Sequence, residues 1–545
     1  MRGMPGRRVL VAAIGFALAA FLVRLCVEPP DHGYTRYASI AFEMVRSGDW
    51  VAPSLDEHLY VDKPPFAIWL IAAPMALAHA PANFAQHAPN LVALLLSVLF
   101  LQRLGARLFG RRDAGWLAAG LYLSALLPFA LLRDKRIDPL FAALLLGALD
   151  FLHAALTLHA PSRRRLAQWL AAAVLLAAAT LTKGPLAFVF FAAIALVYAA
   201  WTRRLAALAT RQMGAAAALF LVLVALWPLA MFGDVGISAW ATRFGERGMV
   251  SRFAGPLHYV MKLPQRVAPW TLLLPALALA WRPLLRGASS AALRFPLTWF
   301  GVVFVLLHVT SAKHSRYLLP AFPALALALV ALWIVPGTGA ITALAPRARR
   351  WRDGALAVVL ALGALAGLAL PVALLLRPSA RTLWPALVLG SALSAWVSIG
   401  GLRLLRARGD GIAVLARAVV AALLIEAGID IVRSADFLAD DDFSQARRVL
   451  SEASATAPLL TVHVGGDPRN ALLFASGRPA QEGRDASDAQ RFARESGGGL
   501  VVASPATLDA LRADPGLVVG EAVLLRLADR SLALATLGAS DVAPH

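Results

Sequence analysis

The sequence DHGYTRYASIAFEMVRSGDWVAPSLDEHLYVDKPPFAIWL, residues 31–70, follows the first hydrophobic segment of a 545-residue chain. It gathers charged, aromatic and proline residues in a chain that is otherwise 59% hydrophobic and only 15% charged. Such a composition is typical of polytopic membrane proteins. Polar side chains concentrated where an apolar segment meets water usually mark a functional site. The stretch therefore predicts a water-exposed site attached to a helical membrane scaffold.

The net charge of +20 does not indicate nucleic-acid binding, because the positive side chains form short clusters between apolar segments. The clusters lie at residues 111–112, 163–165, 203–204, 282–286, 347–352 and 403–408. Arginine clusters of this kind stay in the cytoplasm and so orient membrane helices, and they can contact anionic lipid headgroups. The single cysteine, Cys26, excludes an internal disulfide framework.

Apolar segments of spanning length predict about thirteen transmembrane helices. They lie near residues 9–27, 88–109, 114–132, 139–158, 168–183, 185–201, 213–233, 268–282, 295–311, 317–336, 355–377, 384–404 and 412–433. One more apolar segment, residues 66–80, is shorter. If it crossed the membrane, every later arginine cluster would move to the outer side, against the positive-inside rule. We therefore predict that this segment lies along or dips into the outer interface, with the C-terminal segment outside.

The chain changes in character after Ser434. Short apolar runs at 459–464, 471–476, 499–504 and 522–527 alternate with helix-like polar segments at 487–495 and 505–513. Strands that alternate with helices predict a small α/β domain. We thus expect a membrane domain at residues 1–434, with a first external loop at 28–87, and a soluble external domain at 435–545.

Outward-facing polar residues cluster at five places in this topology. These are residues 31–37 (DHGYTRY), 62–65 (DKPP), 133–139 (RDKRIDP), 182–185 (TKGP) and 313–317 (KHSRY). Cations at a membrane surface can bind a phosphate ester and stabilise it as a leaving group. A nearby carboxylate can accept the proton of an attacking hydroxyl. The pattern predicts the transfer of a group from a phosphorylated lipid.

The run from TRYASIAFEM through GDWVAP to DKPPFAIWL resembles the first periplasmic loop of the bacterial lipid A aminoarabinose transferases. These belong to the wider dolichyl-phosphate-mannose protein mannosyltransferase-like, GT-C group. Further matching pieces, in family order, are RIDPL (136–140), LTKGPLA (181–187), APWTLLLP (268–275) and SAKHSRYLLPAFPALAL (311–327). The resemblance implies a GT-C-like glycosyltransferase of the bacterial inner membrane, with its active site and C-terminal domain in the periplasm.

The resemblance also implies the reaction. A sugar would pass from a polyprenyl-phosphate donor, usually undecaprenyl phosphate, to lipid A, lipopolysaccharide or another envelope glycolipid, with inversion. By position, the catalytic carboxylates would be Asp31, Asp62 and Asp138. The residues assigned to the donor phosphate and its lipid are Arg36, Tyr37, Lys63, Lys183, Lys313, Arg316 and Tyr317. No metal ligand is assigned, and the sequence leaves dependence on a divalent metal open.

The chain departs from the family pattern at three positions. Gly33 stands where the family has its first-loop acid, Asp62 replaces the more frequent glutamate, and His258 is displaced from the family's histidine. Three alternatives therefore stay open. The acceptor could be a serine or threonine of a protein; the chain could transport lipid-linked sugars; or it could bind the lipid without transferring the sugar. Against transport, no inverted repeat is evident and the charges gather at one face.

The topology makes a direct prediction. A reporter fused after Ala80 should report an external location, because only an interfacial segment at 66–80 keeps the arginine clusters inside. Alkaline phosphatase fused there should be active, and green fluorescent protein fused there should be dark. The opposite pair of signals would place the junction in the cytoplasm and overturn the predicted order of spans.

Overall fold

The computed structural model describes residue 15 and residues 36–540, with gaps at 56–57, 79, 81, 159–161, 236–254, 287–289, 311–312, 339, 377–383, 440–447, 451, 454–456, 465–479 and 528–529. Its helices are α1 (Arg36–Ser47), α2 (Phe66–Ala78), α3 (Ala82–Ala85), α4 (Ala88–Phe109), α5 (Arg112–Leu123), α6 (Leu126–Arg133), α7 (Asp138–Thr157), α8 (Arg163–Lys183), α9 (Leu186–Trp201), α10 (Arg211–Val235), α11 (His258–Val267), α12 (Leu274–Leu284), α13 (Ser290–Val309), α14 (Phe322–Val330), α15 (Pro346–Leu376), α16 (Trp384–Arg406), α17 (Gly411–Ala439), α18 (Ala486–Ser496) and α19 (Pro505–Arg512). Three 3₁₀ turns lie at Leu205–Leu208, Trp270–Leu273 and Ser315–Ala321. The strands are β1 (Ser54–Leu55), β2 (His58–Leu59), β3 (Leu459–Val462), β4 (Ala480–Gly483), β5 (Gly499–Ala503), β6 (Leu517–Val519), β7 (Val523–Leu527) and β8 (Arg530–Ala539).

The chain forms two compact units. The membrane unit contains the described residues of 1–23, 62–67 and 89–433, and the sheet unit contains those of 24–61, 68–88 and 434–545. The membrane unit consists mainly of long apolar helices, whereas the sheet unit holds the β-strands together with α1 and most of α2. The boundary of an independent C-terminal domain at residue 435 stays a prediction.

Eight described helices of the membrane unit are long and apolar enough to cross a membrane, or up to ten spans if two bent pairs count as one each. This supports a polytopic membrane protein, but the predicted count of thirteen is not confirmed. Two segments that we predicted as spans, α9 and residues 315–330, form shorter apolar helices. The predicted first span at 9–27 lies outside the described residues except for Gly15.

Two of the predicted spans, 114–132 and 268–282, fall on helix pairs that the structure shows to be bent. The α5–α6 pair bends by 68°, and α11 with Trp270–Leu284 bends by 104°. The two breaks meet, because the Leu126 N–H donates to the Ala268 carbonyl at 2.8 Å. The buried Trp270 Nε1 also donates to Ser124 Oγ at 3.1 Å. Backbone groups freed by a break in a membrane helix need such partners within the protein.

The α4 and α5 helices approach closely through glycine. A Cβ added to Gly105 would lie 2.6 Å from the Gly115 Cα, so neither position has room for a side chain. Small residues at helix contacts allow this approach in membranes, where van der Waals packing drives association.

The α2 helix, with 13 residues, is about 20 Å long and shorter than a straight span requires. Its interfacial location stays a prediction.

The sheet unit contains the α/β arrangement that the C-terminal sequence predicts. Its main sheet has the order β4-β3-β5-β8-β6, with β7 also paired to β8. The β3 strand is parallel to β4 and β5, while β8 is antiparallel to its neighbours. Three predicted strands correspond to β3, β5 and β7, and the two predicted helices correspond to α18 and α19. The predicted strand at 471–476 lies outside the described residues.

The described residues of 36–61 in the first-loop motif belong to the sheet unit, whereas residues 62–67 belong to the membrane unit. Ala38 of α1 is fully buried in a hydrophobic cluster with Leu450, Leu459 and Leu500 of the C-terminal segment. The Gly-Asp-Trp piece forms a turn, with Gly48 at φ +75° and the Asp49 carboxylate accepting from two following backbone N–H groups at 2.8 and 2.9 Å. Asp49 thus forms an Asx turn, in which its side chain accepts from the backbone just after it. Gly48 and Asp49 therefore determine the shape of the loop.

The glycine contact makes a prediction about stability. Gly105→Ala should destabilise the protein by about 1–3 kcal/mol, because the new methyl group meets backbone that cannot rotate away. The matched control is Gly354→Ala, at a helical glycine where an added methyl group would meet nothing within 4 Å. Thermal unfolding in detergent should separate the two variants. Equal melting temperatures would show that α4 and α5 are not closely packed.

Candidate active site

An ion pair joins two predicted site residues that lie 45 positions apart. Lys183, the last residue of α8, donates from Nζ to the Asp138 Oδ1 at 2.5 Å, and Asp138 is the first residue of α7. The side chains are only 13% and 8% exposed. The helix dipole favours an anion at an N-terminus and a cation at a C-terminus. Each charge is thus placed at the helix end that stabilises it.

The local sequence explains why both helices have their ends here. Pro139 occupies the first turn of α7, where a missing N–H costs no helical hydrogen bond. Gly184 follows Lys183 at φ +91°, a conformation that favours glycine. Pro185 then precedes α9. The Thr-Lys-Gly-Pro sequence therefore stops α8 at the lysine and holds the ammonium at the helix terminus.

Aromatic rings surround the ammonium group. Lys183 Nζ lies 4.7 Å from the centre of the Tyr317 ring and 5.3 Å from that of Phe141. The Arg316 guanidinium lies 5.5 Å from the centre of the same Tyr317 ring. Cations over aromatic faces gain electrostatic attraction, most strongly where water is excluded. Three distant segments thus assemble one cationic site with aromatic walls.

The segment that carries Tyr317 is ordered by its own contacts. The Tyr317 N–H donates to the His314 carbonyl at 2.9 Å, and the two rings lie 5.3 Å apart in an edge-to-face arrangement. Lys313 donates from Nζ to the Thr310 carbonyl at 2.6 Å. Lys313 is therefore held on its own segment, close in sequence to Arg316 and Tyr317.

The remaining predicted site residues lie on other segments of the chain. Asp62 and Lys63 are half-buried in the turn before α2, and Lys63 Nζ donates to the Asp62 carbonyl at 3.0 Å. Arg36 and Tyr37 begin α1 of the sheet unit. Asp31 lies outside the described residues. The structure therefore brings together Asp138, Lys183, Arg316 and Tyr317. The roles of all the assigned residues stay predictions.

Two residues of interest were not predicted from the sequence. Phe141 follows Asp138 by three positions on α7, a spacing that places both on one helix face and could have identified it.

The second residue, Asp150, is fully buried in the same helix and pairs with Arg107 at 2.9 Å and Arg103 at 3.2 Å. A carboxylate within an apolar span was the available signal. Because Asp150 lies twelve positions beyond Asp138 on α7, about 18 Å along the helix, it does not belong to the same site.

The arrangement can bind and stabilise an anion. A lysine ammonium has three N–H donors, of which the described contacts direct one to Asp138. The others, with the neighbouring Arg316, suit the oxygens of a phosphate. Among the described residues, no three His, Cys, Asp or Glu side chains are grouped closely enough to hold a metal ion.

The ion pair can be tested by a double-mutant cycle. Asp138→Asn and Lys183→Met should each destabilise the protein, because each leaves a poorly solvated charge without its partner. The double variant should lose less than the sum, with a coupling energy of about 1–3 kcal/mol. Chemical or thermal unfolding of the four proteins measures this coupling. Strict additivity would show that the two side chains do not interact.

Comparison with known proteins shows which sequences and structures this chain resembles. Residues 62–231 match the family described as dolichyl-phosphate-mannose-protein mannosyltransferase. An undecaprenyl phosphate-alpha-4-amino-4-deoxy-L-arabinose arabinosyl transferase of Proteus mirabilis is 28% identical over 56% of this chain and 55% of its own. Its counterpart in Pseudomonas savastanoi pv. phaseolicola is 30% identical over 57% of this chain and 59% of its own. The chain thus spans somewhat more than half the length of these relatives.

The fold match is more extensive. The crystal structure of ArnT from Cupriavidus metallidurans bound to undecaprenyl phosphate superposes with a TM-score of 0.74, covering 96% of this chain and 97% of that one at 21% identity. Because only 21% of the aligned residues are identical, this match shows a shared fold. These comparisons confirm the resemblance that the motifs indicated: in sequence the chain is similar to the aminoarabinose transferases, and in fold it is similar to the structure of ArnT.

Proposed function

We propose that this chain transfers a sugar from a polyprenyl-phosphate donor, such as undecaprenyl phosphate, to lipid A or a related envelope glycolipid. The observation that carries the proposal is the buried Lys183–Asp138 pair beside Arg316 and Tyr317. Residues of three family motifs form this site, although they are far apart in sequence. The names of the similar proteins describe undecaprenyl-phosphate-dependent arabinosyl transferases.

The chemistry requires an anionic leaving group to be stabilised. An acceptor oxygen attacks the anomeric carbon, the bond from that carbon to the phosphate oxygen breaks, and polyprenyl phosphate leaves with the bonding electron pair. Lys183 and Arg316 would bind the phosphate and stabilise its growing charge. Tyr317 and Phe141 would exclude water from the ammonium group. Attack from the face opposite the phosphate inverts the anomeric centre.

Asp138 would position Lys183, since its carboxylate already accepts the lysine's hydrogen bond. This arrangement holds the ammonium in one orientation before the donor binds, which reduces the reorganisation needed during the reaction. Asp31 and Asp62 would then be the candidates to accept a proton from an acceptor hydroxyl. An acceptor phosphate monoester is mostly dianionic at neutral pH, so its attack would need no base.

We also propose that the site faces the periplasm. In the membrane unit, the N-terminal end of α7 and the C-terminal end of α8 carry the ion pair. The arginine-rich ends lie on the other side, where Arg204 donates to the Leu156 carbonyl at 2.5 Å and Arg107 contacts Asp150. Because arginine clusters stay in the cytoplasm, the ion pair would lie outside. A polyprenyl-phosphate donor suits that compartment, since it needs no nucleotide.

Activity can be measured with purified full-length protein in nanodiscs. Radiolabelled undecaprenyl-phosphate aminoarabinose and lipid A should yield labelled lipid A and free undecaprenyl phosphate. Lys183→Met should lower kcat/KM by about 10²–10³-fold, because it removes a charge that stabilises the leaving phosphate. Arg316→Gln provides a second variant if Lys183→Met folds poorly.

The matched control is Arg164→Gln, which removes one charge at the exposed, opposite end of the same helix. It should leave kcat/KM unchanged. Movement of the labelled lipid across the bilayer without release of undecaprenyl phosphate would indicate transport. Binding without release would indicate a catalytically inactive relative, and either result contradicts the proposal.

A further inference from the structure

A polar cavity lies in the membrane unit, and neither Lys183 nor Asp138 lines it. It has a volume of about 510 Å³ and is lined by the loop after α14, the first turns of α15 and α17, and the last turn of α16. These three long helices are apolar enough to cross a membrane. The cavity therefore lies where spanning helices meet the aqueous boundary.

The cavity is at the end of the helices opposite the candidate active site. The apolar helix Ser315–Val330 begins at the candidate active site, near Tyr317, and ends three residues before the cavity-lining Trp333. Sixteen residues of helix separate Tyr317 from Trp333 by about 25 Å. The loop that follows is anchored there, because the Gly337 N–H donates to the Leu108 carbonyl near the end of α4 at 2.7 Å. The same end of α4 carries Arg103 and Arg107, which pair with Asp150.

A buried donor lacks an acceptor in this cavity. Trp333 is only 1% exposed, and its Nε1 has no hydrogen-bond partner among the described residues. The indole edge that carries Nε1 lies against the cavity-lining Gly411, because a Cβ added there would be 3.5 Å from the nitrogen and 3.9 Å from Arg352 Nη2. An indole N–H can only donate, and burying it unpaired is costly. An acceptor ligand would satisfy it.

Positively charged donors surround this N–H. The Arg352 guanidinium lies 5.4 Å from the centre of the Trp333 ring and pairs with Asp353 through Nη2 at 2.8 Å. Arg349 is 3.6 Å from the other Asp353 oxygen. Arg408, at φ +50°, is exposed in the turn between α16 and α17 and lines the same cavity. Three arginines thus face the cavity, and Asp353 is engaged by two of them.

The second carboxylate of the cavity is also engaged. The Asp410 Oδ1 accepts from the Ile412 N–H at 3.0 Å, at the start of α17. Asp410 therefore satisfies the helix terminus, as N-cap side chains do. With both carboxylates occupied, the cavity presents an excess of donors, which suits an anion with several acceptor oxygens.

We propose that this cavity binds a phosphate group, supplied by the headgroup of an anionic phospholipid. Arginine forks match phosphate oxygens, and basic pockets between membrane helices bind anionic headgroups at this depth. The phosphate would accept from Arg408 and Trp333 and connect the ends of α15, α16 and α17. The site is independent of the sugar transfer at Lys183.

The test uses the purified full-length protein in detergent, stripped of lipid. Melting temperatures are measured against increasing phosphatidylglycerol, phosphatidylethanolamine or inorganic phosphate. Phosphatidylglycerol should raise the melting temperature saturably, and Arg408→Gln should weaken its apparent affinity about tenfold, since it removes a charged hydrogen-bond donor. Trp333→Phe, which removes the indole N–H, should also weaken it.

The matched control is Arg406→Gln, which removes the same charge from the same exposed cluster but does not line the cavity. It should bind phosphatidylglycerol as the unmodified protein does. A saturable, Arg408-dependent effect of inorganic phosphate alone would support the phosphate site but assign it a soluble ligand. The proposal is overturned if neither phosphatidylglycerol nor inorganic phosphate stabilises the protein, or if phosphatidylethanolamine stabilises it as strongly as phosphatidylglycerol does. It is also overturned if Arg408→Gln and Arg406→Gln weaken binding equally.

Discussion

The ion pair between Lys183 and Asp138 is the interaction on which the site depends. Two charges in a poorly solvated environment are stable together because each solvates the other, and either one alone would be costly. The pair fixes the C-terminal end of α8 against the N-terminal end of α7. It also holds an ammonium group beside two aromatic rings, where a phosphate would meet a cation that is already oriented. The same contact thus serves packing and binding.

The membrane unit has carboxylates at two levels of one buried helix, α7. Of the candidate spans described, α7 is the most enclosed. It carries Asp138 at its start and Asp150 three turns later, and each carboxylate is paired with cations from a neighbouring helix. These pairs have different surroundings. Aromatic rings and motif residues adjoin the Asp138 pair, whereas the arginine-rich helix ends and the polar cavity lie toward Asp150. The helix therefore separates a candidate transfer site from a candidate lipid-binding face.

Much of this arrangement was predictable from particular residues. Apolar windows located the long helices, and the Thr-Lys-Gly-Pro and Ile-Asp-Pro pieces identified Lys183 and Asp138 as residues at helix ends. The bends at Ser124 and Ala268 were not predictable, since hydropathy averages over a window and does not register a break stabilised by a distant segment. Nor did the sequence show that Ala38 of the first loop packs among C-terminal residues. Contacts between segments so far apart depend on the tertiary fold.

The central claim is that Lys183 binds the phosphate of a polyprenyl-phosphate donor. The most direct measurement is a cryo-electron microscopy structure of the full-length protein in nanodiscs with undecaprenyl phosphate added. A phosphate density within about 3 Å of the Lys183 ammonium group, hydrogen-bonded to it, is the predicted result. Lipid phosphate bound elsewhere, with the space beside Lys183 and Tyr317 unchanged, would contradict the account.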